Sequence, residues 1–406
     1  MTTERIKDWT SDYDIFEEGY VKDPYDIWDD LRRHCPVAHT ERWGGSWMPT
    51  AYADIFNIAR DVEHFSSTQP LVAPVLPPEG YQPDPDGPDF SEVRAPPISS
   101  DPPEHTWSRK LILPPFSQKS IARWEPMTRD HCRSLIDGFI ADGRVDAAGG
   151  YAQQIPPYVI ARMLGVPDGM TETFTNWVRD LLEYGLTDPA RRIPARKALL
   201  AFLWDQLQQK KANPGEDLIS YLLDAEVDGN PVPETHVLGT CVLIVIAGID
   251  TTWSSIGSAL WHLAQNPQDR RRMAEDPDVF KTGVEELLRA YSPVTMGRVM
   301  TEDFEYSGCP MKEGDRVLMN FPAANRDPEK FEDPDKVIID RAENPHIAFG
   351  VGIHRCAGSN LARMEMNVAL QEWLARIPNF RLEDPDAVTW AGGQVRGPRS
   401  MMVVFE

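Results

Sequence analysis

Residues 349–358 read Phe-Gly-Val-Gly-Ile-His-Arg-Cys-Ala-Gly and place one cysteine, Cys356, on a glycine-rich stretch. Apolar side chains then recur at helical spacing, at Leu361, Met364, Val368 and Trp373, so a helix is predicted to begin at the cysteine. The free N–H groups and the dipole at a helix N-terminus favour an anion and lower the pKa of a thiol. The pattern therefore predicts a thiolate that is offered to a metal.

The glycines around the cysteine extend this interpretation. Gly350, Gly352 and Gly358 can take conformations that are closed to other residues, and they let the backbone approach a flat ligand closely. From the residues alone, a structural cysteine buried beside a glycine-rich turn stays an alternative.

The string Phe-Gly-x-Gly-x-His-x-Cys-x-Gly resembles the haem-ligand signature of the cytochrome P450 family. The resemblance implies haem b (iron protoporphyrin IX) as the cofactor and dioxygen as the co-substrate. It also implies that the thiolate of Cys356 is the axial ligand of the iron. The cofactor contacts implied in the same stretch are Phe349, Gly350, His354 and Gly358.

Composition excludes several other classes of protein. With 406 residues, 41% hydrophobic content and a net charge of −22, the chain is typical of a soluble globular enzyme and not of a nucleic-acid binder. Five cysteines without a disulfide-like pattern, and an acidic N-terminus without a signal peptide, favour a cytoplasmic location. The longest strongly apolar run, residues 242–247, is too short for a membrane anchor. We also expect a monomer.

The order of predicted elements fits a single domain over residues 1–406. The pattern predicts β-rich parts at about 37–50, 299–320 and 385–406, and helical parts at about 104–290 and 356–376. Nine prolines between residues 70 and 97 predict a long loop, which in a compact domain is usually a functional lid or a sign that the assignment of elements is wrong. The resemblance implies the cytochrome P450 fold, which is mainly α with a small β region. In that fold a long central helix lies over the haem and a cysteine loop lies beneath it.

Residues 233–266 form a long apolar stretch without an internal proline, which predicts a buried helix. Small and polar residues interrupt it at 247–252, Ala-Gly-Ile-Asp-Thr-Thr. One interpretation is a helix kink in which Thr251 bonds the carbonyl of Ala247. The string also resembles the acid-alcohol motif of the family. This resemblance implies that Asp250 gates proton entry, that Thr251 acts beside the bound oxygen, and that Ala247 and Gly248 contact the cofactor.

Glu286 and Arg289 are three residues apart on one predicted helix, a spacing that is usual for exposed ion pairs. In the family, a Glu-x-x-Arg pair at this position is buried and joined by a third residue. The resemblance implies that Arg341 is this third member and that the three residues form a structural clamp.

Haem carries two propionates, so cations are needed at its edge. His105 and Arg109 are four residues apart on a predicted helix, a spacing that is common on ordinary protein surfaces. The family's His-x-x-x-Arg pair contacts the propionates, and the resemblance extends this role to Arg298 and His354. Trp107 stands where the family usually has a polar residue, so this helix is expected to pack somewhat differently.

The face around the cysteine is predicted to bind the electron donor. Arg109, Lys110, Arg355 and Arg363 would make it locally positive on an acidic protein, which favours an acidic iron-sulfur ferredoxin by charge complementarity. The chain has no flavin or iron-sulfur motif of its own. A separate NAD(P)H-dependent flavin reductase is therefore expected to supply electrons to the ferredoxin.

By family position, ten residues are candidates for the substrate pocket. They are Val75, Leu76, Val93, Leu181, Leu243, Ile246, Ala247, Val294, Met296 and Val395. Because they are mainly apolar, we expect a small to medium hydrophobic substrate. Ordinary core packing stays an alternative for many of them. Arg94 is a candidate contact for a substrate carboxylate.

The function that these motifs favour is a haem-thiolate monooxygenase that hydroxylates or O-dealkylates its substrate. A peroxygenase or rearrangement enzyme would not need the Asp250 and Thr251 pair. A non-catalytic haem-thiolate sensor would need an output domain. A thiol hydrolase that used Cys356 and His354 lacks an orienting carboxylate.

Overall fold

The computed structural model describes residues 6–74 and 93–405. Its α-helices are α1 (Glu18–Lys22), α2 (Tyr25–His34), α3 (Tyr52–Ile58), α4 (Glu104–Ile112), α5 (Gln118–Ile121), α6 (Glu125–Phe139), α7 (Ile155–Leu164), α8 (Thr171–Leu182), α9 (Pro189–Ala212), α10 (Leu218–Leu223), α11 (Glu234–Gln265), α12 (Pro267–Glu275), α13 (Pro277–Ala290), α14 (Phe321–Ala324) and α15 (Ser359–Arg376).

The strands are shorter than most of the helices. They are β1 (Val37–Thr40), β2 (Ser46–Pro49), β3 (Phe65–Ser66), β4 (Arg144–Asp146), β5 (Glu226–Val227), β6 (Asn230–Pro231), β7 (Thr295–Met300), β8 (Phe304–Tyr306), β9 (Cys309–Met311), β10 (Arg316–Asn320), β11 (Phe380–Leu382), β12 (Thr389–Ala391), β13 (Gly397–Ser400) and β14 (Met402–Phe405).

The largest sheet has the strand order β1-β2-β10-β7-β3. The β1–β2 hairpin pairs antiparallel, with Val37 opposite Pro49, and β10 pairs antiparallel with β7, with Leu318 opposite Gly297. A second sheet, β11-β14-β4, joins the C-terminal part of the chain to the helical part. The register of β7 matters for the site because it places Arg298 on a buried strand.

The main core lies between α6, α7, α11 and α15. Because α11 is apolar on nearly all sides, its 32 residues, about 48 Å at 1.5 Å per residue, lie inside the protein instead of on its surface. It is the one described helix that is long and apolar enough to cross a membrane, and 72% of its most apolar window is buried. This burial is typical of a core helix.

The architecture is mainly α with a small β region, as predicted, and several boundaries differ from the prediction. The central β region begins at Thr295 and not at 299, and the helical part is interrupted by the short strand β4. The helix after the cysteine begins at Ser359, three residues later than predicted. Much of the predicted proline-rich lid lies outside the described residues.

Candidate active site

One face of α11 is accessible although most of the helix is buried. Ala247 is exposed, and Leu243 and Thr251, one turn to either side, are only partly buried. Residues four apart lie on one helix face, and accessible side chains in the middle of a core helix indicate an internal cavity whose wall these three share. The hydroxyl of Thr251 donates to the carbonyl oxygen of Ala247 at 2.9 Å. Its oxygen stays available to accept a hydrogen bond from the cavity.

The loop that carries the cysteine is closed by backbone hydrogen bonds. The amide of Cys356 donates to the carbonyl of Phe349 at 2.8 Å. Gly350 and Gly352 have φ values of +68° and +76°, the left-handed region that favours glycine. A Cβ at Gly352 would lie 2.6 Å from the carbonyl oxygen of Ala59. These two glycines therefore let the loop turn back and pack against α3.

Gly358 differs from the expectation because its φ is −81°, which other residues adopt readily. Gly358 instead contacts the cysteine directly. Its amide donates a hydrogen bond to the Cys356 thiol, and a Cβ added at Gly358 would lie 3.8 Å from Sγ. This contact is the helix-side N–H that the sequence predicted near the thiolate.

The Cys356 side chain is exposed, yet protein surrounds it closely enough that burial raises the pKa of its thiol. The amide of Gly358 and the charges of Arg109, Arg355 and Arg363 lower that pKa, but they do not outweigh burial. The predicted lowering of the pKa is therefore wrong in sign for the protein by itself. A thiol that is both accessible and enclosed lies on the wall of an internal cavity, and a metal that bound there would deprotonate it.

Four basic side chains converge beside this cavity. His105 and His354 lie with ring centroids 4.3 Å apart, and Arg109 donates to the backbone carbonyl of Arg355. Arg298 is 4% exposed, and its guanidinium donates to the carbonyl of its neighbour Gly297 at 2.8 Å. Among residues 6–74 and 93–405, no carboxylate forms an ion pair with these four side chains.

This cluster is electrostatically incomplete. Burial lowers the pKa of Arg298 to about 10, and burial followed by the charges of Arg298, His105 and Arg109 lowers the pKa of His354 to about 2. The Nε2 atoms of His105 and His354 are buried and have no hydrogen-bond partner in the described part of the chain. Buried polar atoms need partners. The cluster therefore fits the two carboxylates of a haem, whose iron would face Cys356.

Asp250 lies on a different side of α11 from Thr251 and is 1% exposed. Its Oδ1 accepts hydrogen bonds from Arg399 of β13 at 2.9 Å and from Ser254 at 3.1 Å, whereas its Oδ2 has no partner among the described residues. Burial raises the pKa of Asp250, and Arg399 opposes that rise. The structure does not bring the Asp250 carboxylate and the Thr251 hydroxyl into a direct hydrogen bond.

The partners of Asp250 were not anticipated from the sequence. Arg399 also donates to Glu183 at 2.9 Å, and Glu183 accepts two hydrogen bonds from Arg179 of α8 at 3.0 Å each. Burial would raise the pKa of Glu183, but Arg179 and Arg399 hold it below its usual value. The signal for such a partner was the carboxylate of Asp250 itself, because a charge in an apolar helix needs a counter-charge.

The structure places Glu286, Arg289 and Arg341 in one network. Arg289 donates to both oxygens of Glu286 at 2.8 Å, and both side chains are fully buried. Arg341 adds contacts to the same carboxylate at 3.0 and 3.1 Å. Arg289 also donates to the carbonyls of Asn325, Pro334 and Lys336. These bonds fasten α13 to the segment that leads to the cysteine loop.

Comparison with known proteins agrees with this geometry. The sequence model of the family described as Cytochrome P450 matches residues 191–282 and 279–389. Probable cytochrome P450 127A1 of Sinorhizobium fredii is 32% identical over 369 residues, which cover 91% of this chain and 85% of the relative. The chain is a cytochrome P450.

Two further relatives support the fold and the enzyme class. Vitamin D(3) 25-hydroxylase of Pseudonocardia autotrophica is 32% identical over 384 residues, covering 92% of this chain and 91% of the relative. The solved structure of cytochrome P450 CYP109Q5 from Chondromyces apiculatus has a TM-score of 0.87 and 30% identity, and the match covers 97% of this chain and 98% of that one. The predicted fold is confirmed. This cytochrome P450 is a monooxygenase of the bacterial type, and its family implies haem with a cysteine thiolate ligand.

The candidate pocket residues of this P450 divide into groups. Val93, Leu181 and Ile246 line one cavity between α8, α9 and α11, whereas Leu243 and Ala247 face the open side of α11. Val294 and Val395 form an isolated β-bridge, and Val395 is buried in the main core. The sulfur of Met296 accepts a hydrogen bond from Gln394 at 3.1 Å. The candidates Val75 and Leu76 lie outside the described residues.

Gly248 has a packing contact besides its predicted role as a cofactor contact, which stays a prediction. A Cβ at this position would lie 2.7 Å from Cδ1 of Ile160 on α7. The missing side chain therefore lets α7 and α11 approach each other closely. The side of Gly248 on which a Cβ would lie therefore packs against α7.

The predicted donor face also changes. Arg363 forms two hydrogen bonds to Glu285, at 2.6 and 2.7 Å, and stacks over the Phe349 ring at 4.4 Å, so its charge is neutralised. Lys110 and Arg355 are exposed, as is Ile353 at 38%. The side chain of Arg60, which sequence reasoning missed, lies beside Gly352. The face is therefore positive, with an apolar side chain on the cysteine loop.

Proposed function

We propose that this cytochrome P450 inserts one oxygen atom of dioxygen into a small to medium hydrophobic substrate, by hydroxylation or O-dealkylation. The other atom is reduced to water with two electrons and two protons. The observation that carries the proposal is the pairing of a buried acid, Asp250, with a cavity-facing alcohol, Thr251, at adjacent positions of α11. The name of one relative, Vitamin D(3) 25-hydroxylase, agrees with this class of reaction.

The residues present fit a haem. Cys356 would hold its iron, and His105, Arg109, Arg298 and His354 would hold its propionates. When bound, the haem supplies oxygen binding and the electron donation of the thiolate. The buried basic cluster would then gain the carboxylates that it lacks in the described chain.

Proton delivery is the task of the distal residues. Oδ2 of Asp250 has no partner among the described residues, while Arg399 donates to Oδ1. A proton can therefore be accepted and released at Oδ2 while the hydrogen bond from Arg399 to Oδ1 is kept, although the carboxyl group is neutral in its protonated state. Since Thr251 donates to Ala247, its oxygen can accept a hydrogen bond from a water or a protonated group in the cavity. A water bridge between the two side chains completes the path, because they do not bond directly.

The electrons come from a separate iron-sulfur ferredoxin, which is reduced by an NAD(P)H-dependent flavin reductase. The positive face made by Arg60, Lys110 and Arg355 supports this partner, since an acidic ferredoxin is complementary to it in charge. The exposed side chain of Ile353 gives the same face an apolar contact.

The reduced protein with carbon monoxide tests the haem-thiolate centre. We expect a red-shifted Soret band in the haem-loaded wild type, its loss in Cys356→Ala, and its retention in Cys309→Ala, a matched change at a partly buried free cysteine. A wild type that binds haem without this band would refute the proposal. Labelled dioxygen separates the alternatives: one labelled atom in the product indicates a monooxygenase, whereas an unlabelled product made from peroxide indicates a peroxygenase.

A further inference from the structure

A cavity of about 120 Å³ lies between α8, α9, α11 and the segment at residues 93–95. Its walls are apolar where α11 contributes Val242 and Ile246, and where α8 contributes Leu181. Three arginines, Arg94, Arg192 and Arg196, also line it, and none of the described lining residues is acidic. On a chain with a net charge of −22, three guanidinium groups around one apolar cavity are unexpected and require an explanation.

Of the three, Arg94 is exposed, whereas protein encloses Arg192. Its guanidinium donates to the carbonyl of Leu181, and no carboxylate of the described residues forms an ion pair with it. Burial, followed by the nearby charge of Arg196, lowers the pKa of Arg192 to about 10. A guanidinium has five N–H donors, so most donors of this group have no partner among the described residues. Arg196 donates to the carbonyl of Val93 at 3.0 Å and has further interactions.

Arg192 lies in the first turns of α9, which begins at Pro189. The partial positive charge of this helix end already has an anion, because the carboxylate of the N-cap residue Asp188 accepts a hydrogen bond from the amide of Ala190 at 3.0 Å. An arginine side chain close to this end needs an anion of its own. The adjacent Arg191 has such a partner, because it pairs with Asp180 at 2.8 Å. Arg192 points instead into the cavity, where the compensating anion is missing from the described chain.

We propose that this cavity binds the carboxylate of an amphiphilic substrate, with Arg192 as its main ligand and Arg94 and Arg196 as supporting charges. A carboxylate matches the planar fork of a guanidinium and can accept two hydrogen bonds from it. The hydrocarbon part of the substrate extends along the apolar face of α11 towards Thr251. This proposal rests on the proposed function, since it takes the cavity as the far end of the substrate site.

The spacing along α11 sets the distance between carboxylate and reacting carbon. Val242 and Ile246 line the cavity, and they precede Thr251 by nine and five residues. At 1.5 Å per residue, the carboxylate lies about 7 to 14 Å from Thr251 along the helix axis. The substrate is therefore oxidised far from its acid group and not beside it.

The test compares acids with their methyl esters on the haem-loaded protein. The probes are medium- and long-chain fatty acids, an aromatic acid and terpenoid acids, each paired with its ester, and binding is measured by calorimetry and by the spin-state shift. We expect at least one acid to bind about 10-fold or more tightly than its ester. Arg192→Leu should weaken that acid by about 10- to 100-fold and change its ester little. Arg192→Lys should restore part of the loss, because it keeps the charge without the fork.

Arg191→Leu is the matched control, since it removes the neighbouring arginine, whose charge is already paired with Asp180. It should leave the preference for the acid unchanged. Equal binding of acid and ester throughout the panel would overturn the proposal, as would an equal loss for both in Arg192→Leu. The carbon monoxide band is recorded on every sample: its absence refutes the monooxygenase, whereas the calorimetric difference between acid and ester still decides the carboxylate site.

Discussion

Replacing Arg399 by leucine tests whether the buried network behind the active site depends on one cation. Arg399 is 8% exposed and lies between two carboxylates, Asp250 at 1% and Glu183 at 12% exposed, with 2.9 Å contacts to both. Removing one partner of a buried ion pair typically costs about 3–5 kcal/mol, because the remaining charge stays buried without compensation. Glu183 keeps Arg179 in the variant, so most of the loss is expected from Asp250.

The sign of the pH dependence follows from the pKa shifts. Burial raises the pKa of Asp250 and Arg399 opposes the rise, whereas Arg179 and Arg399 hold the pKa of Glu183 low. Without Arg399 the pKa values of both carboxyl groups rise in the folded state. At a pH below both the unfolded pKa values, near 4, and the lowered folded pKa of Glu183, both groups are protonated in the folded and the unfolded state, and the loss is small. The destabilisation of Arg399→Leu must therefore increase as the pH rises from acid to neutral.

The free energies of unfolding of the wild type and of Arg399→Leu are measured by urea unfolding, followed by tryptophan fluorescence, at several pH values between acid and neutral. Arg272→Leu is the control, since it removes an arginine from an exposed ion pair with Asp340, 2.6 Å apart, and should change the free energy of unfolding little. At neutral pH, Arg399→Leu is expected to lower the free energy of unfolding by about 3–5 kcal/mol, and a decrease of less than about 1 kcal/mol would refute the role of Arg399 as the counter-ion. A decrease of the same size at every pH would refute it as well.

Two further predictions concern α11. Thr251→Ala should keep the spectral change on substrate binding while electrons are diverted to peroxide, so that less product forms per NAD(P)H. Thr251→Ser keeps the hydroxyl and should keep the product yield per NAD(P)H. An unchanged yield in the alanine variant would exclude Thr251 from proton delivery. Gly248→Val should destabilise the protein by about 1–3 kcal/mol, because its Cβ would lie 2.7 Å from Ile160. In the double variant, Ile160→Ala should offset part of that loss. Gly138→Val in α6 is the control, because a Cβ at Gly138 would have no atom within 4 Å and should need no such compensation. Strictly additive effects of the changes at 248 and 160 would contradict the packing role of Gly248.

Residues that lie close together along the chain could be predicted from the sequence. The glycines and Cys356 share one loop, Asp250 and Thr251 are adjacent on one helix, and Glu286 and Arg289 are three apart on another. Their chemistry depends on local backbone geometry, which residue type and spacing restrict strongly. The mainly α fold followed from the same kind of local periodicity.

Partners that are far apart along the chain could not be predicted in this way. Arg399 is 149 residues from Asp250, and nothing in its own neighbourhood marks it as the counter-ion of that acid. Arg363 was expected to contribute positive charge to the donor face, but packing brings Glu285 to it. The contact between Gly248 and Ile160 likewise depends on the crossing of α7 over α11, which neither segment indicates by itself.

By itself, the sequence determined the chemistry of this protein: a cysteine on a glycine-rich loop and an acid beside an alcohol on a long apolar helix, because such motifs are local. Only the tertiary structure decided how the charges are balanced. It gave Asp250 and Arg363 counter-ions and left the cluster around Arg298 without an ion-pair partner among the described residues. It also placed the Arg192 side chain at the wall of the cavity between α8, α9 and α11. The physical reason is that a charge is stabilised or left uncompensated by whatever packs within a few ångströms of it, and those neighbours come from distant parts of the chain.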